Sequence, residues 1–459
     1  MDLRKPEDFL CSERFDVLAR TAFVRGEING YGLAWGRSVY KDFILSTAKD
    51  RRGNAEWGED NKKFSYADYE KYFKNLIGSI SENGFVADFG GVPVSNRVLI
   101  NGAHRVATSL ILRNSVPIED LGPVQIPNYD YRWLIQSGMQ SQHLDQIALD
   151  FVRLDKNTRV LVFFGHQEKL MDEIFKSQER EKLNKVIYNR KISLSPIGMR
   201  RIIQVCYQMN DWWQDSLIEK MYLERFFGRS SHIYLTIVQS INHEEFISYK
   251  NYLREEFNPR EFPRIIHGSD RHEDTFEILS TLLNRNGLNF LNNSKVGSEF
   301  RIMEILNEEG SVLASENCVI DGSASLEFFG GKLANDIDFI TLKEVDYTKV
   351  QSKKFDNHEK FYDMLPIDFR ELIVDPRLHF CWGGYKFATT NMVNYLKSEW
   401  NLNSELNSTH NEIYVDSRGL ARARKSKVNF YYGRFRIAIS PIVPGFIKTA
   451  IRKIFLPKQ

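Results

Sequence analysis

Two aspartates alternate with apolar residues in the run Asn335-Asp336-Ile337-Asp338-Phe339-Ile340. Residues two apart on a β-strand share a face. The spacing therefore predicts that Asp336 and Asp338 project together while Ile337 and Phe339 point into a core. Two convergent carboxylates suit Mg²⁺ (or Mn²⁺), hard cations that prefer oxygen ligands and the phosphates of a nucleotide. Upstream, the apolar run Val319-Ile320 meets Asp321-Gly322-Ser323, and a helix-length stretch separates it from the aspartates. Gly322 lets the backbone come close at a strand–helix turn, and the amides that open the helix favour an anion. Gly322 and Ser323 are thus candidate phosphate contacts. A cation and an anion grip in one segment point to nucleotidyl or phosphoryl transfer.

Gly-Ser, a helix-length spacer and Asp-hydrophobic-Asp together resemble the active-site signature of the polymerase-β-like nucleotidyltransferase superfamily. The resemblance covers Gly322 to Ile340. It implies Mg²⁺ on Asp336 and Asp338, a nucleoside triphosphate or nucleotide-sugar as substrate, and a third carboxylate on a neighbouring strand. Asp368 and Asp375 are the candidates for that acid, with Glu344 and Asp346 behind them. Asp368 lies between Ile367 and Phe369, an apolar–acid–apolar pattern that matches the family's third strand, and is preferred. Asp375 precedes Pro376 and would close a strand. Lys386, after Gly383-Gly384, is placed to reach a phosphate.

A second constellation is Ile100-Asn101-Gly102-Ala103-His104-Arg105. Arg105 at a helix start, beside exposed N–H groups, suits a phosphate. The segment from Phe85 to Leu112 resembles the ParB/sulfiredoxin-like fold, in which a strand leads into Gly-x-His-Arg. The resemblance implies that Gly102, His104 and Arg105 contact nucleotide phosphates, and a kinase-like step is one expectation. Sulfiredoxins carry a reactive cysteine where this chain has Ala103, so that chemistry is excluded. A third cluster, His267-Gly268-Ser269-Asp270, joins a strand to a helix start, where α/β sheets bind ligands. Its wording, with Asn289-Phe290-Leu291-Asn292, is similar to that of uncharacterised proteins of bacterial surface-polysaccharide synthesis. His267 and Asp270 are the weaker candidates there.

The elements that must position these residues read as a mixed α/β, multi-domain chain of 459 residues. Residues 1–130 form the ParB/sulfiredoxin-like region and 131–300 an α/β middle region. Residues 301–425 form the nucleotidyltransferase-like region and 426–459 a basic tail. Helices are expected over Ser65–Asn83, His104–Leu112, Glu168–Asn184, Ile202–Trp213, Thr275–Leu283 and Phe300–Leu306. Asp270 and Glu273 are read as a capping box for the fifth of these. Strands are expected at Pro93-Val94, Arg97–Ile100, Arg159–Phe164, Ile233–Val238, Arg264–Ile266 and Leu372–Val374, with an aromatic loop at His379–Phe387.

Apolar residues make up 42%, enough for ordinary cores. A net charge of +2 is too balanced for nucleic acid as the main partner. Cys11, Cys206, Cys318 and Cys381 are too widely spaced for a zinc cluster or disulfide framework, which fits a reducing compartment. The N-terminus has no signal-peptide pattern and no apolar run has membrane-span length. A cytoplasmic location is expected. In the tail, Phe446, Ile447, Ala450, Ile451 and Ile454 share one helical face with Lys448, Arg452 and Lys453 off it. That pattern suits peripheral contact with the inner membrane surface.

Together these features lead to the expectation of a Mg²⁺-dependent nucleotidyltransferase acting on a sugar, polyol or sugar phosphate in surface-glycan synthesis. The alternatives are a LicD/fukutin-like phosphotransferase that passes a group from a nucleotide-activated donor to a glycan, and a non-catalytic nucleotide-binding protein.

Overall fold

Period-two alternation of apolar residues builds three separate sheets, each drawn from one stretch of the chain. The computed structural model describes residues 2–48, 63, 65–85, 90–164, 173, 185–207, 232–240, 242–257, 265–295, 298–331, 333–342, 354–362 and 367–409. Residues Met1–Val393 form one compact unit, and a second unit begins at Asn394. The architecture is mixed α/β.

The first sheet has strands β1 (Asp2–Arg4), β2 (Val92–Ser95), β3 (Val98–Leu99) and β4 (Val116–Asp120) in the order β1-β4-β2-β3. β2 and β4 run parallel, and β1 and β3 are antiparallel to their neighbours. Helix Ala103–Leu112 is the crossover between β3 and β4, and helix Tyr66–Asn83 packs on it. Ser65 caps the latter helix: its backbone N–H donates to Asp68 Oδ2 over 2.8 Å.

The second sheet has strands β5 (Thr158–Phe164), β6 (Lys185–Ser193), β7 (His232–Gln239) and β8 (Ile266–Gly268), antiparallel throughout in the order β6-β7-β5-β8. β5 is apolar on both faces from Val160 to Phe164 because both faces of this sheet are covered. Val160, Val162 and Phe164 join the main core, whereas Leu161 and Phe163 join a second cluster with Phe246, Tyr249 and Leu253.

The third sheet has strands β9 (Cys318–Ile320), β10 (Ile337–Thr341), β11 (Phe355–Asn357), β12 (His379–Trp382) and β13 (Tyr385–Ala388) in the order β11-β10-β9-β13-β12. Phe339, Ile320, Phe387 and Phe380 are register partners across four strands, so they share one face. That face packs on an aromatic cluster: Phe290 stacks on Phe380 at 4.9 Å, and Phe328 meets Phe387 edge-on at 4.8 Å. Residues one position away, including Asp338, project from the other face.

Five expected elements differ. Leu372–Val374 belongs to helix Phe369–Val374 rather than a strand. Its β-branched residues are held there because Leu372 and Ile373 are fully buried. The expected loop at His379–Phe387 is the β12–β13 hairpin. Gly383 and Gly384, at φ 57° and 82°, supply the two left-handed residues of its tight turn. The strand expected at Arg264–Ile266 is shifted to Ile266–Gly268. The helix after it spans His272–Leu282. Asp274, not Glu273, accepts from the Arg271 backbone N–H, and Asp270 pairs with Lys250 instead. The helix expected from Ile202 starts earlier, at Pro196, and is observed to Tyr207; residues 208–213 of that expectation lie outside the described residues. Glu344, Asp346, the basic tail and, apart from residue 173, the helix expected at Glu168–Asn184 lie outside the described residues. Among the described residues no helix is long and apolar enough to cross a membrane.

Buried Arg201 ties helix Pro196–Tyr207 to the end of helix Arg285–Asn293, whose Phe290 packs on the third sheet. Its guanidinium donates to the carbonyls of Leu291 (3.1 Å) and Lys295 (2.9 Å), at and beyond the end of helix Arg285–Asn293, and lies over the Phe290 ring. These carbonyls have no intrahelical donor. Arg201→Met keeps the apolar stem but strands them. Urea unfolding of this variant is expected to show a loss of about 2–3 kcal/mol with an unchanged m-value.

Candidate active site

The site is built where three strands lay acidic residues on one face of the third sheet. Asp338 is the second residue of β10, directly beside Asp356 of the parallel β11. On the other side, the Asp321 backbone N–H donates to the Asp338 carbonyl over 2.9 Å, just past the end of β9. Asp336 lies immediately before β10 rather than within it, exposed at the rim. His358 follows β11 and bends inward, its backbone N–H donating to the Phe339 carbonyl.

His358 sits between the two buried carboxylates. Its Nε2 is 3.0 Å from Asp338 Oδ1 and its Nδ1 3.4 Å from Asp321 Oδ1. Burial opposes charge on the ring, but the two carboxylates outweigh it and push its pKa up to about 10. Burial also pushes the Asp338 carboxyl up, and Asp321 and Asp336 add to this while His358 works against it. The Tyr362 hydroxyl donates to Asp321 Oδ2. Tyr362 itself is buried, on the short helix Glu359–Tyr362 that follows His358.

Gly322 is the hinge of the arrangement. Its φ is +64°, a conformation L side chains rarely adopt, and a Cβ there would fall onto Asp338 Oδ2. The turn therefore brings backbone against carboxylate where no other residue fits. Helix Gly322–Glu327 follows, with Ser323 half-buried in its first turn. Glu327 is held away from the site by its ion pair with Arg301.

A cation fits this donor set. One ligand atom from each of Asp321, Asp338 and His358 lies within 4.8 Å of the others. The buried Asp321 Oδ1 makes no close hydrogen bond, its nearest donor being His358 Nδ1 at 3.4 Å, which leaves it able to take a cation as partner. Two carboxylates suit Mg²⁺, and the imidazole extends the range to Mn²⁺ and other transition metals.

The other residues singled out from sequence are placed as follows. Asp368 caps helix Phe369–Val374, accepting from the Arg370 backbone, and ion-pairs with the Arg370 side chain. It lies on no strand, because an acid two residues before that arginine is worth more as a helix cap. Asp375 is fully buried and paired with Arg377. Lys386 donates to the carbonyls of Glu316 (2.6 Å) and Ile373 (2.9 Å), and burial lowers its pKa. In the first sheet, Gly102 is left-handed at φ 92° and Arg105 Nη1 donates to the Gly90 carbonyl over 3.1 Å. His104 Nε2 lies 3.0 Å from the Tyr40 hydroxyl. His267 is buried beside Tyr207, and burial with Lys250 and Arg254 nearby pushes it down to about 3. Asp270 lies 2.5 Å from Lys250. Sequence reasoning missed Asp321, Asp356, His358 and Tyr362 as site residues. The only signal for Asp356 and His358 was their two-residue spacing after Phe355, like that of Asp336 and Asp338 but with polar Asn357 between them.

No family model, curated protein or solved structure matches the chain.

The raised pKa of His358 has a consequence for stability. Its bond to the carboxylates stabilises the metal-free protein fully below the unfolded histidine value, near about 6.5, and is lost as pH rises through about 10. Thermal unfolding in chelator should fall in midpoint across that window. His358→Gln should remove that component of the fall.

Proposed function

We propose that the chain is a divalent-cation-dependent nucleotidyltransferase acting on a sugar, polyol or sugar phosphate, with surface-glycan synthesis as its setting. One observation carries the reading: Asp338 stands between Asp321 and Asp356 on neighbouring strands, against a glycine turn that tolerates no side chain. A bound cation would neutralise charge developing on phosphate oxygens during displacement. Asp338, Asp321 and His358 would hold it, with Asp336 at the rim. Asp356, 60% exposed, is free to face an acceptor hydroxyl and orient it. Gly322 brings backbone close to the same carboxylates, and Ser323 opens the helix that follows, where phosphate groups would lie.

A second reading, nucleotide binding without turnover, is favoured by the imidazole that already bridges Asp321 and Asp338. A phosphotransferase of the LicD/fukutin-like kind is separated from the first reading by its product.

Purified protein with CTP or ATP, Mg²⁺ or Mn²⁺ and a panel of sugar phosphates is expected to release pyrophosphate. Asp338→Ala should reduce the rate at least about 100-fold, since even residues behind metal ligands cost 10- to 100-fold. Release of nucleoside monophosphate from a nucleotide-sugar would favour the phosphotransferase. Tight nucleotide binding by calorimetry with no product would favour the binding protein. Gly322→Ala should match Asp338→Ala in activity.

A further inference from the structure

Three side chains remote in sequence from the carboxylate face stand in hydrogen-bonded series where two helices meet. Ser38 and Asp42 lie one turn apart on helix Leu33–Ala48, at i and i+4, and so share a face. His143 comes from the first turn of helix Ser141–Leu154. Its Nε2 is 3.2 Å from Ser38 Oγ, and its Nδ1 is 2.6 Å from Asp42 Oδ2.

The order of partners suits base catalysis. A carboxylate only accepts, so Nδ1 carries a proton, and in the neutral ring Nε2 then turns its lone pair to the Ser38 hydroxyl. Asp42 is itself held in place, because Oδ2 also accepts from the Gln140 backbone N–H over 2.9 Å. His143 is 1% exposed and packs against Trp35, with ring centroids 5.1 Å apart. Ser38 keeps part of its surface open to solvent.

Trp35 supplies a second, independent observation. It precedes Ser38 by one turn, and its buried indole N–H has no hydrogen-bond partner. Buried donors in folded proteins are nearly always paired. A helix-to-helix hydrogen bond alone would account for Ser38 and His143, but not for this stranded donor. An oxyanion forming at a carbon attacked by Ser38 would be its acceptor. Arg377, ion-paired with Asp375, covers the Trp35 ring at 5.2 Å.

We propose that Ser38, His143 and Asp42 are an esterase-type triad acting on a carboxylic ester, with Ser38 as nucleophile, His143 as general base and Asp42 as the positioning residue. Ser38 Oγ bonds to the ester carbonyl carbon while its proton passes to His143 Nε2. The tetrahedral intermediate collapses, the carbon–oxygen bond to the alcohol breaks, and the alcohol leaves with the proton from Nε2. Water then adds to the acyl-serine, giving its proton to Nε2. Collapse releases the carboxylic acid, and the proton returns to Ser38 Oγ. No cofactor or redox partner is needed.

The test treats the full chain with a fluorophosphonate probe, locates the adduct by peptide mass spectrometry, and follows p-nitrophenyl acetate hydrolysis. The adduct is expected on Ser38, and Ser38→Ala should lose both labelling and hydrolysis. His143→Asn should slow labelling at least about 100-fold. Asp42→Asn should slow it too, with an unfolding midpoint that shows an intact fold; a merely architectural Asp42 would leave the labelling rate unmoved. Trp35→Phe keeps the ring and drops the N–H, and should lower kcat about 100-fold with little change in KM. If His143→Asn fails to fold, the site of the adduct and the Trp35→Phe rates decide. The proposal is overturned if the folded wild type carries no adduct on Ser38. It is also overturned if a folded His143→Asn is labelled as fast as wild type, or if Trp35→Phe leaves kcat unchanged.

Discussion

Carboxylates set side by side on adjacent strands repel one another, and the pairing that brings them together needs a counter-charge between them. In the third sheet that constraint governs the local design. Asp321 and Asp338 are both buried, with Asp336 and Asp356 close by, and His358 is the only cation among the described residues placed between the first two. The short strand Phe355–Asn357 delivers His358 to that position. Tyr362 then neutralises much of the remaining demand of Asp321 through its hydroxyl. A cation held as proposed by Asp321, Asp338 and His358 would have to displace the proton of the imidazole, so protonation of His358 and metal binding would oppose one another.

The opposite face of the sheet makes such crowding tolerable. Ile320, Phe339, Phe380 and Phe387 lie together there, over Phe290 and Phe328, and their burial fixes strand register. A slip of one residue would drive Asp338 into the aromatic cluster and Phe339 into the acidic face. The hydrophobic side thus holds the carboxylates at a spacing they would not choose themselves.

Much of this was legible in the sequence where the signal is local. The alternation around Asp338, the glycine turn at Gly322 and the continuous apolar run of β5 each reflect a rule acting over a few residues. Asp356 and His358 were harder to see. Their strand is only three residues long and rich in Asp and Asn, which strands disfavour, and it is held by parallel pairing to β10. Asp368 fits an apolar–acid–apolar pattern that serves a strand and a helix cap equally, and only Arg370 and the buried Leu372 and Ile373 decide for the cap. The hairpin at Gly383-Gly384 carried a readable turn signal that the density of aromatic residues around it obscured. Ser38, Asp42 and His143 left no local trace, since their meeting depends on how two helices pack.

The main apolar cluster runs without a break from Phe9 through Val160 and Phe290 to Phe387, so all three sheets share one interior. Arg201 adds a polar tie within it, between helices Pro196–Tyr207 and Arg285–Asn293. Sheets that share a core share a folding free energy, and none of them can melt alone without exposing the others' apolar surface. A ligand that binds any one sheet in its folded form therefore stabilises all three by mass action. Occupancy at one end of the chain is felt as resistance to unfolding at the other, with no conformational signal passing between them.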